Sequence, residues 1–229
     1  MTISVIIPAL HEEERIGEVV AQIQSQEVRG AWPPAPQIII VDGDPAGSTL
    51  AVIKDPHIVK LTAPKGRGNQ LAAGAAIASG DILLMLHADT MLPDRAFSSI
   101  RQAVADGADW GAFRIGIDAP ETAFRIIERS VDLRCRLFRL PYGDQAMFVT
   151  RKALDQTGGI PDIPLMEDVE LAEKLRKGGY RFTLLTDRVR TSARRWQKDG
   201  IVRRTLKNWW IMLQYLAGVK PEKLSKGYQ

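Results

Sequence analysis

A single cysteine, Cys135, stands in 229 residues, so the chain holds no internal disulfide and no thiolate-rich metal cluster, a composition that fits a reducing compartment. Long apolar runs are missing as well: nothing approaches the roughly twenty consecutive apolar residues that span a bilayer. The first residues enter a strand-like run with no basic start and no cleavable apolar region, so no secretory signal is expected, and the expected location is cytoplasmic. There is no internal repeat, no low-complexity tract and no GxxxxGK[ST] loop, which argues against a P-loop nucleoside triphosphatase. Neither sign of charge dominates, since 31 Lys+Arg against 27 Asp+Glu leave +4. The basic residues are dispersed without a recognition motif, so nucleic acid is not an expected partner; a phosphate-bearing ligand or an anionic surface suits the small excess. What is present is an ordinary globular composition, 45% hydrophobic and 25% charged, long enough for one sizeable α/β domain with an appendage.

The segment 80–94, GDILLMLHADTMLPD, carries the strongest pattern. Residues 82–86 are uniformly apolar and too few for an amphipathic helix, which predicts a central strand covered on both faces. His87, Ala88 and Asp89 follow at its carboxyl end, where open α/β sheets bind ligands. Taken alone, Asp89 would serve equally well in a turn ahead of Pro93. A β-branched run at 3–8 leads through a loop into a helix marked by Ile16, Val19, Val20 and Ile23. After Trp32-Pro33-Pro34-Ala35-Pro36, which cannot continue a helix, residues 37–41 predict a second buried strand. It is closed by Asp42-Gly43-Asp44-Pro45, a turn when read in isolation. A short strand at 56–61 precedes Pro64-Lys65-Gly66-Arg67-Gly68-Asn69 and a small-residue helix at 70–78. Cations among glycines at a helix N-terminus suit phosphate, because backbone N–H groups and the helix dipole point that way.

Further on, the pattern predicts a helix at 94–105 and a strand at 110–117. Residues 121–140 form a basic amphipathic helix, with Phe124, Ile127, Val131, Cys135 and Phe138 on one face and Arg125, Arg129, Arg134, Arg136 and Arg139 around them. Then come a break at 141–145, a strand at 146–149, a short helix at 151–157 and a helix opened by Met166-Glu167-Asp168 and stopped by Gly178-Gly179. Acids in a first helical turn often only complement the dipole. A strand at 181–185 and a loop holding Arg194-Arg195-Trp196 follow. The tail, 201–219, mixes Trp209, Trp210, Leu213 and Leu216 with flanking lysines and arginines. Its pattern is that of an interfacial helix, and equally of one packed on its own domain or on a dimer mate.

In the order VIIPALHEE, IIIVDGD, PKGRGNQLAAG, GDILLMLHAD, YGDQ, MEDVEL and RRW, the chain resembles a family-2 glycosyltransferase of the GT-A fold. LHADT, YGDQAMFV, MEDVEL, ARRW and the NWW…YLAGVKP tail are similar to a compact bacterial subgroup. The resemblance covers about residues 1–196 and implies a Rossmann-like, mostly parallel mixed sheet flanked by helices, followed by a helical tail at 197–229. It implies that Pro8, Ala9, Leu10, Glu12 and Asp42 hold the nucleotide, together with Arg67, Gly68, His87 and Ala88. His87-Ala88-Asp89 corresponds to the metal-binding D-x-D motif, with Asp89 the expected ligand of Mn²⁺ or Mg²⁺ and His87 in place of the first acid. The later acidic pair maps to Glu167 and Asp168, with Asp168 the expected catalytic base. Gly143, Asp144 and Gln145 would line the sugar and acceptor region, and Arg194, Arg195 and Trp196 would close over the diphosphate or acceptor.

These residue types suit the chemistry of a nucleotide-sugar donor, with UDP the carrier the resemblance implies. Negative charge builds on the leaving diphosphate, and a hard divalent cation with oxygen ligands stabilises it. The acceptor hydroxyl would lose its proton to a positioned carboxylate, and the resemblance implies a single displacement that inverts the anomeric carbon, although the residues themselves do not exclude retention. A sugar-nucleotide nucleotidyltransferase would need a glycine-rich basic loop after the first strand, where HEEER stands instead. A non-catalytic nucleotide-binding module is the other alternative, and the presence of both Asp89 and Asp168 speaks against it. The two basic amphipathic segments suit a lipid-linked acceptor and peripheral contact at the inner membrane face.

Overall fold

The computed structural model describes residues 1–29 and 35–227, with the side chains at 27–29, 195, 226 and 227 outside that description. Trp32, Pro33 and Pro34 of the expected helix-breaking stretch therefore lie outside the described residues. In chain order the first half contains β1 (Ile3–Ala9), α1 (Ile16–Arg29), β2 (Gln37–Asp42), α2 (Ser48–Ala51), β3 (Val59–Thr62), α3 (Arg67–Ile77), β4 (Ile82–Met85), β5 (Thr90–Met91) and α4 (Ala96–Ala105). The second half contains β6 (Trp110–Asp118), α5 (Thr122–Phe138), a 3-10 turn (Gly143–Gln145), β7 (Phe148–Thr150), α6 (Arg151–Gln156), α7 (Glu167–Lys177), β8 (Phe182–Ser192), α8 (Arg194–Asp199), α9 (Ile201–Leu216) and α10 (Pro221–Gly227).

All eight strands join one sheet in the order β3-β2-β1-β4-β7-β6-β8-β5. The pairings from β3 through β4 and between β6 and β8 are parallel, while β7 and β5 run antiparallel to their neighbours. Successive side chains of a strand point to opposite faces, and at β1, β2 and β4 both faces are covered. Ile3, Val5 and Ile7 of β1 pack with Ile16, Val19 and Ile23 of α1, whereas Ile6 of β1 packs with Leu71 of α3. Continuous apolar runs in β1, β2 and β4 follow from that double cover. Each fully buried Ile or Leu contributes roughly 1.5–3 kcal/mol. The small residues of α3 let it lie close to the sheet: a Cβ at Gly74 would stand 2.5 Å from Ile6 Cγ2.

Only Leu86, His87, Ala88 and Asp89 separate the end of β4 from the start of β5, a span of at most about 18 Å. Those strands are fourth and eighth in the order, and four spacings in a flat sheet amount to about 19 Å. The segment also turns, with Thr90 N–H donating to His87 O at 3.1 Å. The sheet therefore curls and brings its far edge back to the carboxyl end of β4. This is the topology of the GT-A fold, and the central position expected for residues 82–86 holds.

Two expectations need correction. Arg194, Arg195 and Trp196, read as a loop, open the helix α8, so a domain boundary after Trp196 falls inside that helix. The strand expected at 181–185 continues to Ser192, because it pairs along most of β6. The helix expected over 201–219 is α9, a short helix α10 follows it, and Ile211 of α9 and Leu224 of α10 pack on Leu165, Met166 and Val169.

Candidate active site

Two cavities meet at the carboxyl end of β4. The larger, about 410 Å³, is lined by Pro8 and Ala9 at the end of β1 and Leu10 and Glu12 after it, by Lys65, Gly66 and Arg67 at the start of α3, and by His87, Ala88 and Asp89. The smaller, about 120 Å³, is lined by Tyr142, Gly143, Asp144, Asp168, Thr191 and Trp196, and on its far side by Arg204, Asn208 and Met212 of α9. Arg67, His87 and Asp89 border both. Asp89 and Asp168, 79 positions apart in sequence, thus open onto one space.

The 3-10 turn and α7 position Asp168. Gly143 N–H donates to Asp168 Oδ2 at 2.7 Å and Val169 N–H donates to Oδ1 at 2.8 Å, which orients the carboxylate. A Cβ at Gly143 would come within 2.7 Å of His87 Nε2 and 3.4 Å of Asp168 Oδ2, so only glycine lets these three groups approach. Met166, just before the acidic pair, has φ 67° and ψ 18°. Such left-handed geometry in a non-glycine residue costs about 1–3 kcal/mol, and packing of Met166 in the cluster with Ile211 and Leu224 holds it.

Glu167 turns the other way. It is 1% exposed, its Oε1 lies 2.9 Å from Arg67 Nε, and it lines neither cavity. Burial pushes its carboxyl up to about 7, Arg67 opposing this and Asp168 adding to it. A folded-state value above the ordinary 4.5 means that the native protein holds the extra proton, so this stability is present at acid pH and is lost as pH rises through about 7. Glu167→Gln should therefore flatten the fall in thermal midpoint between about pH 5 and pH 8, by the equivalent of about 2 kcal/mol. Differential scanning fluorimetry across that range reads the slope, and an unchanged slope would show that Glu167 does not titrate there.

Asp144 is half-buried in the smaller cavity, and its carboxyl is pushed up to about 6. Burial is the main cause; Arg134 opposes it, and the negative charges of Asp168 and Asp89 add to it. Three carboxylates crowding one cavity repel one another, and a divalent cation relieves that repulsion. Among the described residues no three His, Cys, Asp or Glu side chains form a self-sufficient metal cage. The donor set therefore fits a cation that takes Asp89 as a protein ligand and completes its shell with phosphate oxygens and water.

Several residues expected at the site have other tasks. Asp42 is fully buried and its carboxylate accepts the N–H groups of Asp44 and Thr49, both at 2.9 Å, so it holds the turn after β2 and does not line the cleft. Gln145, also fully buried, donates to Phe113 O at 3.0 Å and accepts from Tyr142 N–H at 3.1 Å and Arg134 Nη2 at 3.0 Å. It braces the 3-10 turn beneath the cavity instead of lining it. Gly68 lies under the loop after α6, where a Cβ would strike Ile163 O. Trp196 does line the smaller cavity and stands edge-on to Phe124, with ring centroids 6.0 Å apart. Arg194 reaches Glu12 at 4.0 Å, tying α8 to the loop after β1, and the Arg195 side chain lies outside the described residues.

Gln70 was not singled out from sequence. Its Nε2 donates to Ala9 O at 2.7 Å and Val41 O at 2.8 Å, pinning together the carboxyl ends of β1 and β2. A lone amide in an Ala/Gly helix was the available signal. Arg204, Asn208 and Met212 were missed too; helical spacing puts them on one face but does not say what that face meets.

Residues 4–159 match the profile of glycosyl transferase family 2. The fold is of the GT-A class, and the chain belongs to glycosyl transferase family 2. A dolichol-phosphate mannosyltransferase of Pyrococcus furiosus is 26% identical over 115 residues, covering 48% of this chain and 32% of that protein. Among solved structures, a mannosyltransferase of Pyrobaculum calidifontis in complex with GDP-Man and Mn²⁺ superposes with a TM-score of 0.64 at 18% identity, over 82% of this chain and 56% of the other. S. aureus TarS in complex with UDP-GlcNAc gives 0.61 at 15% identity, over 84% and 58%. The chain thus spans about a third of the curated relative it matches. The family match ends before α7, so it does not extend to Asp168.

Proposed function

We propose that this chain transfers a sugar from a nucleoside-diphosphate donor to an acceptor hydroxyl, with inversion, using Asp168 as general base. One observation carries the reading: Asp89 and Asp168 border the same cavity, next to a cleft of about 410 Å³, a size ordinary for a small-molecule site. The nucleotide lies in the larger cleft against Pro8, Ala9, Leu10 and Glu12. Its diphosphate sits at the junction, where Lys65 and Arg67 supply positive charge and the start of α3 points its N–H groups. The sugar extends toward Gly143 and Asp144, and the acceptor enters past Trp196 and α9. Asp168, held by Gly143 N–H, takes the hydroxyl proton as that oxygen attacks the anomeric carbon. Asp89 would hold Mn²⁺ or Mg²⁺, which neutralises charge on the departing diphosphate. Neighbours of this fold bind UDP-GlcNAc and GDP-Man, and UDP-sugars are the first donors to test against GDP-mannose. We place the enzyme on the cytoplasmic side, at the inner membrane face.

Thermal shift with a panel of nucleotide sugars and Mn²⁺ tests this directly. A donor at about a hundredfold over its Kd should stabilise the fold by about 2.7 kcal/mol, a rise of roughly 5–10 °C for a chain of this length. The same donor should be slowly hydrolysed. A panel in which no sugar nucleotide raises the midpoint or is consumed would remove the transferase reading.

A further inference from the structure

Helices α5 and α9 meet through two apolar clusters. Ile127 and Val131 of α5 share an apolar cluster with Ile201 at the start of α9, and Leu140, just past α5, packs on the cluster that contains Ile211. Their inner faces are thereby covered, and their outer faces are not. On α5, Ile126, Leu133, Leu137 and Phe138 are 56–64% exposed. On α9, Val202, Leu206, Trp209, Trp210, Leu213 and Leu216 are 57–72% exposed.

Charge chooses the occupant. Helix α9 contains no acidic residue, and Arg203 is exposed beside its apolar face. The two acids within α5 turn away from solvent: Glu128 accepts Ile117 N–H at 2.7 Å, and Asp132 meets Arg188 at 3.0 Å. Arg125, Arg129, Arg136 and Arg139 remain exposed around the α5 stripe. The outward face of the pair is therefore apolar and purely cationic. A second copy of this face would set arginine against arginine, whereas an anionic bilayer accepts both features: buried aromatics at the headgroup level and basic residues beside acidic lipids.

We propose that the outer face of α5 and α9 docks on an anionic membrane surface and that the acceptor is a lipid-linked hydroxyl. The second half of this statement rests on the transferase reading. Its geometric basis is that the inner face of α9, through Arg204, Asn208 and Met212, forms a wall of the smaller cavity. A bilayer under α9 would lie one helix away from the reacting centre.

Flotation with vesicles of phosphatidylcholine alone, and of phosphatidylcholine with about 30% phosphatidylglycerol, reads the first half, since each basic residue at an anionic surface strengthens binding roughly fivefold. The protein should float with the anionic vesicles and be released by high salt. The Trp209→Glu/Trp210→Glu and Leu133→Glu/Leu137→Glu double variants, all at exposed positions, should each lose about tenfold or more of the bound fraction and keep the thermal shift with the sugar-nucleotide donor. No flotation with either vesicle, or flotation unchanged in both variants, overturns the docking surface. A concentration-dependent dimer in sedimentation that Trp209→Glu/Trp210→Glu abolishes overturns it in favour of a second copy. Flotation that behaves as expected without any donor response would sink the transferase reading and the lipid-linked acceptor with it, and would leave the docking surface standing.

Discussion

Asp168→Asn is expected to lower sugar transfer by about a hundred- to ten-thousand-fold, the usual contribution of a positioned general base, with donor affinity close to wild type. The separation follows from position. Asp168 borders the smaller cavity and not the larger cleft, so a nucleotide held in the larger cleft would not meet it. Asparagine keeps the size of the side chain but offers one acceptor oxygen where aspartate offers two, and two backbone N–H groups, from Gly143 and Val169, point at this carboxylate. Some loss of order in the 3-10 turn will accompany the loss of the base, and the thermal midpoint of the variant measures that part. Single-turnover kinetics at saturating donor then isolates the chemical step. Near-wild-type turnover in a folded variant would show that another group takes the proton.

The second large effect is expected at Asp89. Asp89→Ala should weaken binding of the nucleotide sugar in the presence of Mn²⁺ by on the order of a hundredfold, or about 2.7 kcal/mol, and leave metal-free binding nearly unchanged. Asp89 borders both cavities and stands half-buried in the turn between β4 and β5, anchored by the pairing of Thr90 with Thr191. Isothermal titration with Mn²⁺ and with chelator separates the metal contribution from the rest. If the variant retained the full gain in affinity on adding Mn²⁺, the cation would be held by other groups, and the correspondence of His87-Ala88-Asp89 with a metal motif would not hold for this chain.

How far the sequence was legible depended on what each residue faces. Strands β1, β2 and β4 were readable because a strand covered on both sides is mostly apolar, and their runs of Ile, Val and Leu say so. The last half of β8 was not, because exposed Arg188 and Arg190 alternate with buried Val189 and Thr191 on a strand that faces solvent on one side. β5 has two residues, and only the curl of the sheet gives it a partner. At the site, the order of motifs was enough to place Asp89 and Asp168 together. It could not say which way neighbouring polar groups turn. Asp42, Gln145 and Glu167 stand within a few residues of the cavities, yet their hydrogen bonds and charge contacts go to the backbone, to Arg134 and Cys135, or to Arg67. Sequence spacing carries the position of a carboxylate along an element, while the direction of its oxygens is settled by partners far away in the chain.

The lone thiol gains a use from its surroundings. Cys135 is wholly enclosed, its sulfur 3.4 Å from Gln145 Oε1, and enclosure raises its pKa. Because Gln145 also braces the turn that carries Gly143, an alkylating reagent can react only when α5 lifts away and that brace opens. Modification kinetics followed by mass spectrometry would then time the opening of that brace, with no label to introduce and no competing sulfhydryl to remove.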